Sequence, residues 1–163
     1  HGHMYKIGVL TSSDMGARGQ REDTSGKLIK ELVSLPDYRH MQYLVVPDDR
    51  FVIERTLTSW ADEDKLDLIL TTGGTGLSDR DVMPEATLAV VERLAPGFVE
   101  AMRAFGLNQT PMAMLSRGIA GVRGRTLIIN LPGSPKGVRE GIQVILPVLA
   151  HALGQLTGEN RGH

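Results

Sequence analysis

Short apolar runs that each end on a cluster of glycine or small polar residues, separated by segments of helical spacing, restrict this chain more than any other feature. Residues 5–10 (YKIGVL) lead into Thr11-Ser12-Ser13-Asp14, and residues 41–46 (MQYLVV) lead into Pro47-Asp48-Asp49. Residues 66–70 (LDLIL) lead into Thr71-Thr72-Gly73-Gly74-Thr75-Gly76, and residues 126–131 (TLIINL) into Pro132-Gly133-Ser134-Pro135. Each run is apolar along its length rather than alternating, as strands buried on both faces are. Between the runs, Asp23-Thr24-Ser25 caps a helix whose Leu28, Ile29, Leu32 and Val33 share one face. Phe51, Val52, Thr56, Leu57 and Trp60 mark a second helix, Pro84 fits the first position of a third that runs to Val91, and residues 96–105 form another. Residues 119–122 read as a strand joined to 126–131 through Arg123-Gly124, and Ser134-Pro135 opens a helix of about 18 residues that Pro147 is expected to kink. The class is α/β: a mostly parallel sheet with helices on both faces.

A length of 163 residues suits one domain with a full core. The domain is expected over 5–156, after His1-Gly2-His3-Met4, read as a tag remnant, and before a polar tail over 157–163. Lys+Arg 18 against Asp+Glu 19 leaves no basic excess for nucleic acid or a membrane surface. Only 4% of residues are aromatic, too few for base-stacking platforms. The absence of cysteine excludes disulfides, thiolate metal sites and a cysteine nucleophile. No apolar run reaches the roughly 18 residues of a spanning helix, and no leader is recognised, so a cytoplasmic protein is expected. The 7 methionines read as core filler. No Gly-x-Ser-x-Gly elbow or His-Glu-x-x-His pair is present, and His40 and His151 lie far apart, read as surface or core residues.

In a parallel sheet, ligands bind beyond the carboxyl ends of the strands, and all the unusual segments fall there. The Thr71–Gly76 run lacks the Gly-Lys-Ser/Thr of a P-loop, yet its glycines allow backbone N–H groups to turn toward an anion, and its threonines add uncharged donors. A phosphate or other oxyanion is favoured over a plain connection. The Pro132–Pro135 turn on its own is better read as a well-formed helix start, with Ser134 as the cap. Asp48, Asp49, Asp79, Asp81 and Glu85 flank these loops. Carboxylates beside a phosphate cradle repel it unless a divalent cation intervenes, which points to Mg²⁺, a polyphosphate and phosphoryl or nucleotidyl transfer. On spacing alone an equal alternative stays open, in which Asp79 and Asp81 cap the Pro84 helix or pair with Arg80.

With these residues in view, TTGGTGLSDRDVMPEAT, VVPDD upstream, and AMLSRGIAGVRG and TLIINLPGSPKG downstream closely resemble the MogA/MoaB-type molybdopterin-binding proteins, from about Lys6 to Leu153. The resemblance implies a three-layer α/β sandwich and a molybdopterin adenylyltransferase of molybdenum-cofactor biosynthesis. Such an enzyme moves AMP from ATP to the terminal phosphate of molybdopterin with Mg²⁺, releases pyrophosphate, and passes its product to a molybdenum-insertion protein. It implies a homotrimer or hexamer, with Asp48 and Asp81 as the catalytic acids; one or both of Asp48 and Asp81 are expected to hold Mg²⁺, which neutralises the phosphates. It implies substrate contacts at Ser13, Asp14, Thr72, Gly73, Gly74, Thr75, Gly76, Arg80, Glu85, Ser116, Asn130, Pro132, Gly133 and Ser134. Two positions depart from the pattern: Met83 stands where many relatives have a capping Thr, and Ser134 where larger relatives have Asn. The alternative is a non-catalytic molybdopterin-binding or carrier protein of the MoaB branch, against which the retained Asp48 and Asp81 count.

Overall fold

The strands are β1 (Tyr5–Ser12), β2 (Tyr38–Val46), β3 (Leu68–Thr72), β4 (Arg93–Leu94), β5 (Ala120–Arg123) and β6 (Thr126–Leu131). In the computed structural model, which describes residues 4–159, they form one 6-stranded sheet in the order β2-β1-β3-β6-β5-β4. The pairs β1–β2, β1–β3 and β3–β6 are parallel, while β5–β6 and β4–β5 are antiparallel. The mostly parallel expectation is met, and the antiparallel edge follows from the short turn after Arg123, where Gly124 takes φ +59°. The two-residue β4 is exposed at the edge, short enough to offer little to a foreign strand.

The helices are α1 (Asp14–Ala17), α2 (Thr24–Leu32), α3 (Arg50–Asp62), α4 (Met83–Val90), α5 (Gly97–Leu107) and α6 (Pro135–Thr157), with a 3-10 turn at Pro111–Leu115. Successive strand residues point to opposite faces, so each strand feeds two cores. Leu68, Leu70, Leu127 and Ile129 meet Ile29 of α2 and Val138, Ile142 and Ile145 of α6 on one side. Ile69 and Ile128 meet Ile53, Leu57 and Trp60 of α3 and Met83 and Ala86 of α4 on the other. These are the three layers.

Several elements differ from expectation in their limits. Strand β3 begins two residues late because Leu66 lies in the preceding turn, its N–H donated to Trp60 O and its side chain buried beside that indole. It continues through Thr71 and Thr72, both buried, so part of the threonine–glycine run is strand. Helix α4 starts at Met83 rather than Pro84, with Val82 as a cap that makes no side-chain hydrogen bond. Helix α6 is longer than expected, 23 residues, and stops at Gly158 in a left-handed conformation. Thr157 therefore closes a helix, and Glu159 accepts from the Tyr5 hydroxyl at 2.9 Å. Residues 1–3 of the tag remnant and 160–163 of the tail lie outside the described residues. The methionine expectation is overturned: Met83 is fully buried, but Met4, Met15, Met41, Met112 and Met114 are exposed. Among the described residues no helix is long and apolar enough to cross a membrane.

Candidate functional site

The carboxyl ends of β1, β2, β3 and β6 converge, as parallel strands with right-handed crossovers require. Gly73 fixes how closely their loops can approach. It sits at φ +90°, and a Cβ there would lie 2.4 Å from the carbonyl oxygen of Ser12, so no other residue fits between β1 and the loop. Its far side faces Gly133, whose own Cβ would meet Gly73 Cα at 3.4 Å. Thr72 donates its hydroxyl to Pro132 O at 2.5 Å, and Ser25 at the start of α2 donates to Gly133 O at 2.9 Å. The loops after β3 and β6 and the entrance of α2 are thus locked as one unit. Among the described residues, no protein acceptor takes the N–H groups of Gly74, Thr75 or Gly76.

The acids form a chain across this seam. Asp48 accepts from the Ser12 hydroxyl at 2.5 Å and from the Asp14 N–H at 3.2 Å, while Asp14 accepts from the Asp48 N–H at 2.7 Å. Arg80 closes on the other Asp14 oxygen through Nε at 3.1 Å and Nη2 at 2.7 Å. The Asp48 N–H, and after it the Arg80 guanidinium, hold the Asp14 carboxyl below its ordinary pKa. Asp81, next in the chain to Arg80, accepts the Ser78 N–H at 3.0 Å through Oδ2. The loops bearing Asp48 and Asp81 are therefore tied together through Asp14 and Arg80. The alternative roles for the acids find no support: Arg80 pairs with Asp14 rather than Asp79 or Asp81, and neither acid caps α4.

Arg117 is a residue that sequence reasoning missed. Its Nε donates to Gly76 O at 2.7 Å, Nη2 to Asp81 O at 2.9 Å, and Nη1 to Glu85 Oε2 at 2.7 Å. Its own N–H donates to Thr75 O at 2.9 Å. One guanidinium thus spans the loop from its glycines to its acid and anchors it on α4, and Arg117 holds the Glu85 carboxyl below its ordinary pKa. No local spacing announces such a role; the only signal was an arginine beside the singled-out Ser116.

The expected site residues do not all face the cleft in the same way. Thr72 and Asn130 are buried, the latter donating to Thr71 Oγ1 at 2.9 Å and Thr87 Oγ1 at 3.0 Å while accepting from Ile119 N at 3.0 Å. Their side chains brace the sheet beneath the site rather than presenting free donors. Ser13 and Ser134 cap α1 and α6, accepting from Gly16 N and Gly137 N. Three recesses meet at this ridge. One of about 310 Å³ is lined by Ser13, Arg21, Asp23, Ser25 and Gly73, and one of about 370 Å³ by Gly74, Thr75, Gly76, Asp81 and Ser116. The third, about 230 Å³, is mainly apolar, with Val99, Met102, Met112, Pro132 and Ser134 in its wall. A polar cradle with an apolar slot beside it suits a phosphorylated ligand that carries a flat ring.

No group of three or more His, Cys, Asp or Glu side chains comes together as a metal site among the described residues. Asp81 lines the recess of the glycine-rich loop, and Asp48 accepts from Ser12, whose hydroxyl stands 3.5 Å from where a Cβ on Gly74 would be. Magnesium takes as few as one or two protein carboxylates and fills the rest of its shell with other oxygens, so these donors fit it.

Residues 8–151 match the family described as Probable molybdopterin binding domain. The chain is 44% identical over 154 residues to the molybdopterin adenylyltransferase of Helicobacter pylori strain J99, covering 93% of this chain and 88% of that one. It is 40% identical over 140 residues to the molybdopterin adenylyltransferase of Escherichia coli K12, covering 85% and 72%. The crystal structure of the molybdopterin biosynthesis enzyme MoaB from Thermus thermophilus superposes with a TM-score of 0.90 at 54% identity, over 95% of this chain and 98% of that one.

Proposed function

Because the chain belongs to this molybdopterin-binding family, we infer from its cleft and its relatives that it is a molybdopterin adenylyltransferase of molybdenum-cofactor biosynthesis. It moves AMP from ATP to the terminal phosphate of molybdopterin and releases pyrophosphate. The observation that carries the reading at atomic level is the set of unclaimed N–H groups at Gly74, Thr75 and Gly76, set in a loop tied to two carboxylate-bearing segments.

In the transfer, an oxygen of the molybdopterin phosphate forms a bond to the α-phosphorus of ATP as the bond to the β-phosphate oxygen breaks. Two polyanions must meet, so charge neutralisation and alignment supply most of the catalysis. Backbone donors of the Gly74–Gly76 segment would hold the attacking phosphate, and Ser116 and Ser134 would extend the contact toward the apolar slot. Asp48 and Asp81 would hold Mg²⁺, which when bound neutralises the phosphates and eases departure of pyrophosphate. Asp14 and Arg80 keep those two acids in mutual register. On the same reading the enzyme works as a homotrimer or hexamer in the cytoplasm and hands its product to a molybdenum-insertion protein.

The test is pyrophosphate release on mixing the protein with molybdopterin, ATP and Mg²⁺, beside Asp48→Ala and Asp81→Ala. Release is expected only with all components, and each variant is expected to fall at least about a hundredfold in turnover while still folding, as a cooperative melting transition shows. Undiminished turnover in either variant removes that acid from the mechanism. Molybdopterin binding with no release by the wild type replaces the enzyme with a carrier.

A further inference from the structure

The orientation of Asp48 depends on a residue that is not among the site residues expected from the sequence. Ser12 is the last residue of β1 and is only 4% exposed. Its hydroxyl donates to Asp48 Oδ1, and the N–H of Asp14, two residues on, donates to Oδ2. One short segment therefore supplies a donor to each carboxylate oxygen. The hydroxyl also stands beneath the glycine-rich loop, 3.5 Å from where a Cβ on Gly74 would be.

We propose that Ser12 is a positioning residue for adenylyl transfer, aiming the Asp48 carboxylate toward the Gly74 side of the cleft. This rests on the adenylyltransferase reading given above. A purely structural role, joining the ends of β1 and β2, is already filled without the hydroxyl. Ser12 pairs with Val46 in the parallel ladder, Ser13 N donates to Val46 O at 2.9 Å, and Asp48 N donates to Asp14 Oδ1 at 2.7 Å. Those contacts fix the backbone of Asp48. They leave the rotation of its carboxylate about the terminal bond, which is a broad, roughly two-fold torsion with little preference of its own. A hydroxyl on one oxygen and a backbone N–H on the other remove that freedom, and a misaimed carboxylate would be a poorer ligand for the cation it would hold.

Ser12→Ala deletes the hydroxyl without adding bulk to a strand end held by backbone pairing. Steady-state pyrophosphate release is expected to show kcat lowered about tenfold, as loss of one charge-assisted bond to a reacting group predicts, with KM for ATP and molybdopterin within about twofold. Binding of Mn²⁺ in the presence of a non-hydrolysable ATP analogue, read by electron paramagnetic resonance, is expected to weaken about threefold to tenfold in Ser12→Ala and to be lost in Asp48→Ala. Wild-type kcat and Mn²⁺ affinity in Ser12→Ala, with or without a lower melting temperature, would overturn the assignment. Asp48→Ala run alongside distinguishes the failures: if it turns over normally, the catalytic reading of Asp48 falls first, and Ser12 with it.

Discussion

Replacing Arg117 with methionine keeps the aliphatic stem and removes the fork that clasps Gly76 O, Asp81 O and Glu85. A hydrogen bond from a charged group is worth about 1.5–3 kcal/mol where water is excluded. Arg117 is 33% exposed and Glu85 is 44% exposed in their side chains, so water competes for every partner. Discounted accordingly, the two carbonyl bonds contribute about 0.5–1 kcal/mol each and the ion pair about 0–1 kcal/mol. The total cost of Arg117→Met is then about 1–3 kcal/mol. At about 2–4 °C per kcal/mol for a domain of this size, the melting temperature should fall by about 2–12 °C. Calorimetry gives that shift, and the fluorescence of the buried Trp60 provides an independent probe of the same transition. Glu85→Gln, which removes only the ion pair, should cost under about 1 kcal/mol. Because the carbonyl bonds hold the segment that ends in Asp81, kcat should fall by about tenfold or more in Arg117→Met and by much less in Glu85→Gln. Equal losses in the two variants would mean that the ion pair, not the clasp on the loop, carries the effect. An Arg117→Met protein that melts and turns over as wild type would refute the reasoning altogether.

Gly73→Ala should abolish measurable turnover and lower the melting temperature, since it places a Cβ 2.4 Å from Ser12 O at φ +90°. Gly124→Ala, at φ +59° with nothing within 4 Å, should cost only about 1 kcal/mol and leave pyrophosphate release intact; equal damage at both sites would show that steric closure at Gly73 is not the cause. The Asp14 carboxyl is held below its ordinary 3.8 in the fold, so its unfolded pKa is the higher of the two. Its contribution to stability is therefore complete above about 3.8 and fades as pH falls through the lower folded value. Melting curves of wild type and Asp14→Asn should differ by a constant amount near neutral pH and converge below about pH 3.8; a gap that widens in acid would contradict the Asp14–Asp48–Arg80 arrangement.

The sheet was legible because its signal is carried by many residues at once. Runs such as 66–70 and 126–131 must be buried on both faces whatever their neighbours do, and polar residues gather wherever such strands end. Limits failed where one residue outweighed the pattern. Leu66 is as apolar as its neighbours but is buried against Trp60 from a turn, and Thr71 and Thr72 look like loop but are paired with β6. The exposed methionines were misread because composition cannot say which face of a short helix or turn reaches the core.

The site was legible to a different depth. Residues whose chemistry is local, such as Gly73, Gly74 and Gly124 at positive φ and the caps Asp23 and Ser134, could be placed by position in the chain alone, whereas Asp49, grouped with the acids of the cleft, caps α3 instead. What escaped is whatever depends on reach across the sheet. Asn130 donates to Thr71 and Thr87 on two other elements, so its side-chain amide is engaged within the fold, which its spacing in the sequence does not show. Arg117 and Ser12 act on Asp81 and Asp48 over sequence separations of 36 residues each, through side chains whose partners no spacing rule predicts. The acids proposed as catalytic lie in the segments that follow strand ends, which a sequence displays, while their surroundings are set by neighbours that only the folded sheet brings within reach. A substitution at Asp48 or Asp81 should therefore remove nearly all activity, whereas one at Ser12 or Arg117 should degrade their geometry and leave a measurable remainder.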